Sequence, residues 1–420
     1  MSLKENFEFI NSELWLKYTQ ERYLTLEDIR YRVQKTQNQS HLKNWDETRD
    51  KIQSLRKLGS IPFFVTTLEK KFWYFPADCI QRLLHQIDTL GIELYDKIIT
   101  QQYLLEDLLN NSTVEEAVTS AIYEGANTTR ARAKTILEAK LTPKNKDEWM
   151  VMNNYEALTW IKKNKHEEVS LNLMLKIHQM VTRNTMDGDD KNFSGKFRND
   201  KVFVGTHEGS PHSVVESALT EIIKLTTFHQ RYLHGLIKGI LLHYFTAYIH
   251  PFFDGNGRTA RGLFYFKAIK NNLKFVELLS ISAHLKEHGK KYEKSFDLVV
   301  ENDNDLTYFI QFCLESLLAA LREVKIKVDY LTHIGELKEK LDLQISQVHL
   351  IQKMALHKYR SIDVEEYGKS LGKSREIARQ QLKELHGFKI LREEKVGKKF
   401  VYYIDSDVLK TKILENIPLA

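Results

Sequence analysis

The run His250-Pro-Phe-Phe-Asp-Gly-Asn-Gly-Arg-Thr-Ala-Arg261 gathers residue types that rarely adjoin without a chemical task. Gly255 and Gly257 reach positive φ without strain, which lets backbone N–H groups converge on one point. Ahead of a helix, converging N–H groups form an anion nest, and the helix dipole adds to its pull on phosphate. Asn256 supplies a neutral donor there. Arg258 and Arg261 supply forked cationic donors, and three residues apart they share a face of the helix's opening turn. Asp254 sets a carboxylate among groups that collect anions, an arrangement that calls for a bridging cation, and Mg²⁺ is the usual one. His250 can take a proton near neutral pH. The whole is a polyphosphate cradle with a base at its edge.

Nine positions of this run, from His250 to Arg261, resemble the core motif of the Fic family, His-Pro-Phe-x-Asp/Glu-Gly-Asn-Gly-Arg-x-x-Arg. The resemblance covers about residues 75 to 325 and implies a protein adenylyltransferase, which moves AMP from ATP to a Ser, Thr or Tyr hydroxyl of a protein. It makes His250 the general base and Asp254 the Mg²⁺ ligand. Gly255, Asn256 and Gly257 would hold the α-phosphate, and Arg258 and Arg261 the outer phosphates. Tyr292 is similar to a tyrosine that the family places near the adenine. Gly195 to Thr206 resembles the family's flap, with Val202, Val204 and Gly205 docking the target segment by strand pairing. Upstream, Ser120-Ala-Ile-Tyr-Glu124-Gly125 resembles its inhibitory helix, in which the Glu124 carboxylate reaches Arg261 and denies it to ATP. Thr411-Lys-Ile-Leu-Glu415-Asn416 fits the same short pattern, but lies far beyond the core.

The elements that must hold this loop read as helices. Six prolines in 420 residues leave room for long ones, and length alone asks for more than one domain. The expected fold is mainly α: a Fic-type helical core with a β-hairpin flap, followed by a winged helix-turn-helix. The expected boundaries are 1–110 for an N-terminal helical region and 111–325 for the core, with the inhibitory helix near 113–125. A helical connector over 326–345 and the winged helix over 346–420 complete the chain. Ala77 to Thr89 carries helical spacing in the first region, whereas Ile61 to Val65 reads as a strand or a packed loop. Gly235 to Phe253, interrupted by Lys238, His243 and His250, reads as a buried helix and not a membrane span. Lys201 to Val204 alternates as a short strand does.

Between residues 351 and 405, thirteen Lys/Arg stand against eight Asp/Glu, so this segment holds most of the chain's net +6. Arg375, Arg379 and Lys383 fall on the expected recognition helix, and Lys395 and Lys399 on the wing. The partners implied are a target protein, DNA or a second protein at the winged helix, and a second copy of the chain. Two distant cysteines and no apolar leader fit a cytoplasmic protein. Two further strings carry less. Gly368-Lys-Ser-Leu-Gly372-Lys-Ser374 is one residue short of a phosphate loop and lacks the preceding strand. His284-Leu-Lys-Glu-His288 matches a zinc-peptidase string, but spacing shows no third ligand. Two rival readings of the whole remain: a DNA-binding regulator that senses nucleotide, and an enzyme that removes AMP with Glu124 as its hydrolytic base.

Overall fold

A computed structural model describes residues 3–35, 44–204, 207–356, 361–397 and 399–414, so Glu415 lies outside it. The chain divides into two compact units, Met1–Arg322 and Glu323–Ala420. The fold is mainly helical, as the sequence predicts, and carries three small sheets.

The first unit opens with α1 (Leu3–Ile10), α2 (Leu26–Gln34) and α3 (Trp45–Gly59). A hairpin follows, β1 (Ile61–Val65) against β2 (Lys70–Tyr74), paired from Ile61↔Tyr74 to Val65↔Lys70. Ile61 to Val65 is therefore a strand, and its partner Lys70–Tyr74 carries too little alternation to announce itself. Next come α4 (Asp78–Ile99), α5 (Gln102–Tyr123), α6 (Arg130–Glu138), α7 (Lys146–Lys163) and α8 (Leu171–Thr182). The flap strands are β3 (Phe203–Val204) and β4 (His207–Glu208). The core closes with α9 (Val215–Thr227), α10 (Gly235–Ile249), α11 (Asn256–Lys270), α12 (Ile281–Glu287), α13 (Gly289–Glu301) and α14 (Thr307–Lys340).

Several starts are set by side chains that accept from an otherwise orphaned N–H: Asn145 from Glu148, Ser170 from Leu173 and Thr25 from Asp28. α10 has no polar face, and nearly every residue from Leu236 to Ile249 is buried against its neighbours. Among the described residues, no helix is long and apolar enough to cross a membrane.

Two expected boundaries fall inside helices. Residue 110 lies within α5, of which the expected inhibitory helix is only the C-terminal half, and residue 325 lies within α14. The N-terminal region also packs into the same unit as the core. Its buried Arg56 guanidinium donates to Leu24 O (3.0 Å), Tyr18 O (3.2 Å), Thr19 Oγ1 (3.1 Å) and the Tyr308 hydroxyl on α14 (3.3 Å). Tyr23 donates to Asp305 at 2.5 Å. A buried cation held by this many acceptors fastens the segment to α14, since losing them would strand the charge.

The second unit carries three helices and then a hairpin, with a short strand between the first two helices that the sequence does not suggest. It comprises α15 (Ile345–Ala355), β5 (Ile362–Asp363), α16 (Val364–Leu371), α17 (Arg375–Gly387), β6 (Leu391–Val396) and β7 (Lys399–Ile404). A terminal α18 (Ser406–Leu414) follows. The sheet order is β5-β7-β6, all antiparallel. Gly372 ends α16 with φ 60° and Ser374 caps α17, which makes the phosphate-loop lookalike a helix-to-helix turn. Arg375 pairs with Glu365 at 3.1 Å, and Lys399 with Asp363 at 3.0 Å. Two of the cations assigned to nucleic-acid contact are thus answered within the unit.

Candidate active site

α10 ends at His250, which adopts the left-handed conformation at φ 55° and ψ 61°. Pro251 then denies the helix a further N–H. A histidine in this region is uncommon and persists where its surroundings overdetermine it. Here they do. Its N–H bonds Thr246 O (3.1 Å), while its carbonyl accepts Arg198 Nε at 2.7 Å. His250 Nδ1 lies 3.2 Å from Ala247 O. A carbonyl only accepts, so Nδ1 carries a ring proton, and in the neutral form of the ring the lone pair falls on Nε2.

Phe252 is fully buried and lies face to face on His178, with centroids 3.6 Å apart. Gly255 then turns the chain at φ 78°, where a Cβ would come within 2.6 Å of Thr182 Cγ2. Glycine is demanded here by backbone and by space. Asn256 opens α11, and both ends of its side-chain amide are bonded to the Phe252 backbone, Oδ1 from N–H at 3.0 Å and Nδ2 to O at 2.8 Å. Its side chain therefore shapes the loop, and the direct phosphate contact expected of it competes with those two bonds.

Asp254 Oδ1 accepts from Arg258 at 2.9 Å and from the Gly255 N–H at 2.6 Å. Burial alone would raise its pKa, but Arg258 and that N–H outweigh it and hold the carboxyl below its ordinary value. Among the described residues its second oxygen has no hydrogen-bond partner, and the side chain is 40% exposed. Arg258 itself is buried and also donates to Val181 O at 2.8 Å. Arg258 thus steadies the loop and Asp254 from within.

Arg261 is the other buried guanidinium, and α5 meets it. Ser120 Oγ accepts from Arg261 Nε (3.0 Å) and Nη2 (2.8 Å), and Glu124 Oε1 accepts from Nη2 at 2.8 Å. A Cβ built on Gly257 would lie 2.2 Å from Glu124 Oε1. The carboxylate thus rests against the first turn of α11, where the converging N–H groups would receive a phosphate oxygen. Burial disfavours charge on Arg261, and Glu124 more than restores it.

His178 was not singled out from the sequence. Its Nδ1 accepts the Gly195 N–H at 3.0 Å, so Nε2 carries the proton that bonds Asp254 O at 3.0 Å. One ring thereby ties the start of the flap to the loop. A lone histidine on an apolar helix gives no such signal, since its partners are 17 and 76 residues away. Burial pushes His178 down to about 4 and the equally buried His243 down to about 3. Unfolded histidine titrates near about 6.5. The unfolded chain therefore binds more protons between that value and the folded ones, and stability present above pH 6.5 is lost as pH falls through the window. Urea midpoints are expected to drop from pH 7.5 to pH 5, and His178→Phe is expected to remove about one proton from that slope. An unchanged slope in the variant would contradict a neutral buried His178.

Arg198 belongs to the opening of the expected flap, Gly195-Lys-Phe-Arg198, but its bonding role is not legible in the sequence. Only 3% exposed, it donates to Asp200 O (2.6 Å) and Ser210 O on the flap as well as to His250 O. The flap is shorter than expected, with Phe203↔Glu208 and Val204↔His207 as its pairs. Val202 lies outside the strand but its carbonyl accepts the Gly209 N–H at 3.0 Å, and Gly205 and Thr206 lie outside the described residues. A Cβ on Gly209 would stand 3.2 Å from that of His250, which sets the flap beside the loop. Tyr292 is buried, with its hydroxyl 2.9 Å from His243 Nε2 and its ring 6.1 Å from that of Tyr123. That placement sets Tyr292 beside Tyr123 near the end of α5.

Residues 168–266 match the Fic/DOC family. A protein named protein adenylyltransferase Fic from Nematostella vectensis is 28% identical over 198 residues, which are 43% of this chain and 45% of that one. One of the same name from Culex quinquefasciatus is 29% identical over 197 residues, 45% of this chain and 37% of that one. The chain thus spans less than half the length of these relatives. A crystal structure of a Fic family protein from Desulfovibrio desulfuricans G20 superposes with a TM-score of 0.54 at 18% identity, over 78% of this chain and 96% of that one, a likeness of fold.

Proposed function

From a chain that carries a Fic domain, we propose a protein adenylyltransferase that moves AMP from ATP to a protein hydroxyl and is restrained by Glu124. The observation that carries the reading is the ring of His250 at the edge of the loop: its Nδ1 lies 3.2 Å from the Ala247 carbonyl, a contact that in the neutral ring puts the lone pair on Nε2. In the proposed reaction Nε2 takes the proton of a Ser, Thr or Tyr hydroxyl. The freed oxygen attacks the α-phosphorus, and the bond from that phosphorus to the pyrophosphate oxygen breaks. The first-turn N–H groups of α11 stabilise the charge that builds on the α-phosphoryl oxygens.

Asp254 suits Mg²⁺, a hard cation usually held by one or two carboxylates together with substrate phosphates. Its Oδ1 is fixed by Arg258 and Gly255 and its Oδ2 is left to face a cation. When bound, the ion would offset charge on the departing pyrophosphate. Arg261 is the group suited to the γ-phosphate, and Glu124 now holds it. That engagement favours restraint over hydrolysis as the role of Glu124, because it occupies the guanidinium that the γ-phosphate would need.

Incubation with Mg²⁺ and ATP labelled on either the α- or the γ-phosphate tests the reading. Covalent label on protein is expected from the α-position alone. Label from the γ-position alone, or from neither in the Glu124→Gly variant, overturns it. His178→Phe keeps the ring stack on Phe252 but loses both loop bonds, and a misplaced loop of this kind costs about 10²-fold in rate. kcat is expected to fall by about that factor with KM for ATP little changed, and an unaltered kcat would remove His178 from the positioning of the loop.

A further inference from the structure

The string His284-Leu-Lys-Glu-His288 gains in the structure the third ligand that its spacing did not show. α12 carries His284 and Glu287, and His288 stands at the joint with α13. Residues at i, i+3 and i+4 share one helix face. The ligand atoms of these three all lie within 4.8 Å of one another. Zinc bound at about 2.0–2.2 Å needs its ligands roughly 3.3 Å apart. His284 is buried while Glu287 and His288 are exposed, so the two exposed side chains have room to rotate toward the buried one.

We propose that His284, Glu287 and His288 form a site for a borderline transition-metal ion of the Zn²⁺ class. The donor set explains the choice: two imidazoles and one carboxylate suit Zn²⁺, whereas Mg²⁺ and Ca²⁺ prefer oxygen alone. Three protein ligands leave a fourth position to water. The site is separate from Asp254 and sits where α12 seats the restraining helix. At the start of α12, Glu116 of α5 accepts from the Ser282 N–H (2.9 Å) and from the hydroxyls of Ser280 (3.0 Å) and Ser282 (2.6 Å). At its far end, a Cβ on Gly289 would meet the Tyr123 ring at 3.8 Å, one residue before Glu124. An ion joining His284 to His288 therefore braces the end of α12 that abuts Tyr123.

The test is titration of the metal-free full-length protein with Zn²⁺ by calorimetry and with Co²⁺ by visible spectroscopy, on an Asp254→Ala background to remove the other carboxylate candidate. One equivalent is expected to bind, with the strong visible bands of four-coordinate Co²⁺ and a raised melting temperature. His288→Ala and Glu287→Gln, both at exposed positions that folding does not need, are each expected to weaken binding at least about tenfold, the smallest loss seen even for groups outside a metal's ligand shell. No Zn²⁺ binding, or binding of equal strength in both variants, overturns the proposal.

Discussion

Glu124→Gly is expected to accelerate AMP transfer between about ten- and a hundredfold. A hydrogen bond to a charged group is worth about 1.5–3 kcal/mol, which converts to that range at about 1.4 kcal/mol per decade. The substitution removes the acceptor that holds Arg261 at 2.8 Å and clears the carboxylate from Gly257, while Ser120 keeps its two bonds to the guanidinium. The fold is untouched, because Glu124 lies beyond the last turn of α5. Initial rates with labelled ATP measure the effect. A variant that binds ATP yet transfers no faster removes Glu124 from the restraint. A target already carrying labelled AMP separates the rival reading: if the parent strips the label and the variant does not, Glu124 serves removal instead.

His250→Ala is expected to abolish that accelerated transfer when placed on the Glu124→Gly background. A positioned general base contributes about 10²- to 10⁴-fold. ATP affinity should change little, since the substitution leaves the first turn of α11 and the Arg261 guanidinium in place. Transfer that survives at more than about a tenth of the starting rate would assign the base elsewhere. A nucleotide-sensing regulator would give a third pattern, with no transfer from either protein and binding intact in both.

The sequence makes the loop legible because its residue types are individually costly anywhere else. Two glycines, a proline and two arginines in twelve residues constrain backbone and charge together. The burial of α10 is equally legible, since fifteen residues without a polar face have nowhere else to go. What escapes is whatever depends on distant partners. His178 and Arg198 look ordinary until the fold brings Gly195, Asp254 and His250 to them. The same holds for Asn256, whose amide turns inward to Phe252 when its chemistry alone suggests an outward donor. Helix ends are less legible than the division of the chain: residues 110 and 325 both lie inside continuous helices, α5 and α14, neither of which carries a proline, while the two compact units divide at Arg322/Glu323, three residues from the expected boundary.

The placement of Glu124 at the very tip of α5, with Gly125 at φ 92° directly after it, sets the scale of motion that release requires. Glu116, about two turns before that tip, is fastened to the start of α12, so release calls for unwinding of the end alone, and the device is expected to work as a latch and not as a lever. Terminal fraying of this kind costs little free energy compared with opening a whole domain. A resting protein should therefore leak activity in proportion to how often its last turn melts, and that leak should climb with temperature well before the remainder of the fold gives way.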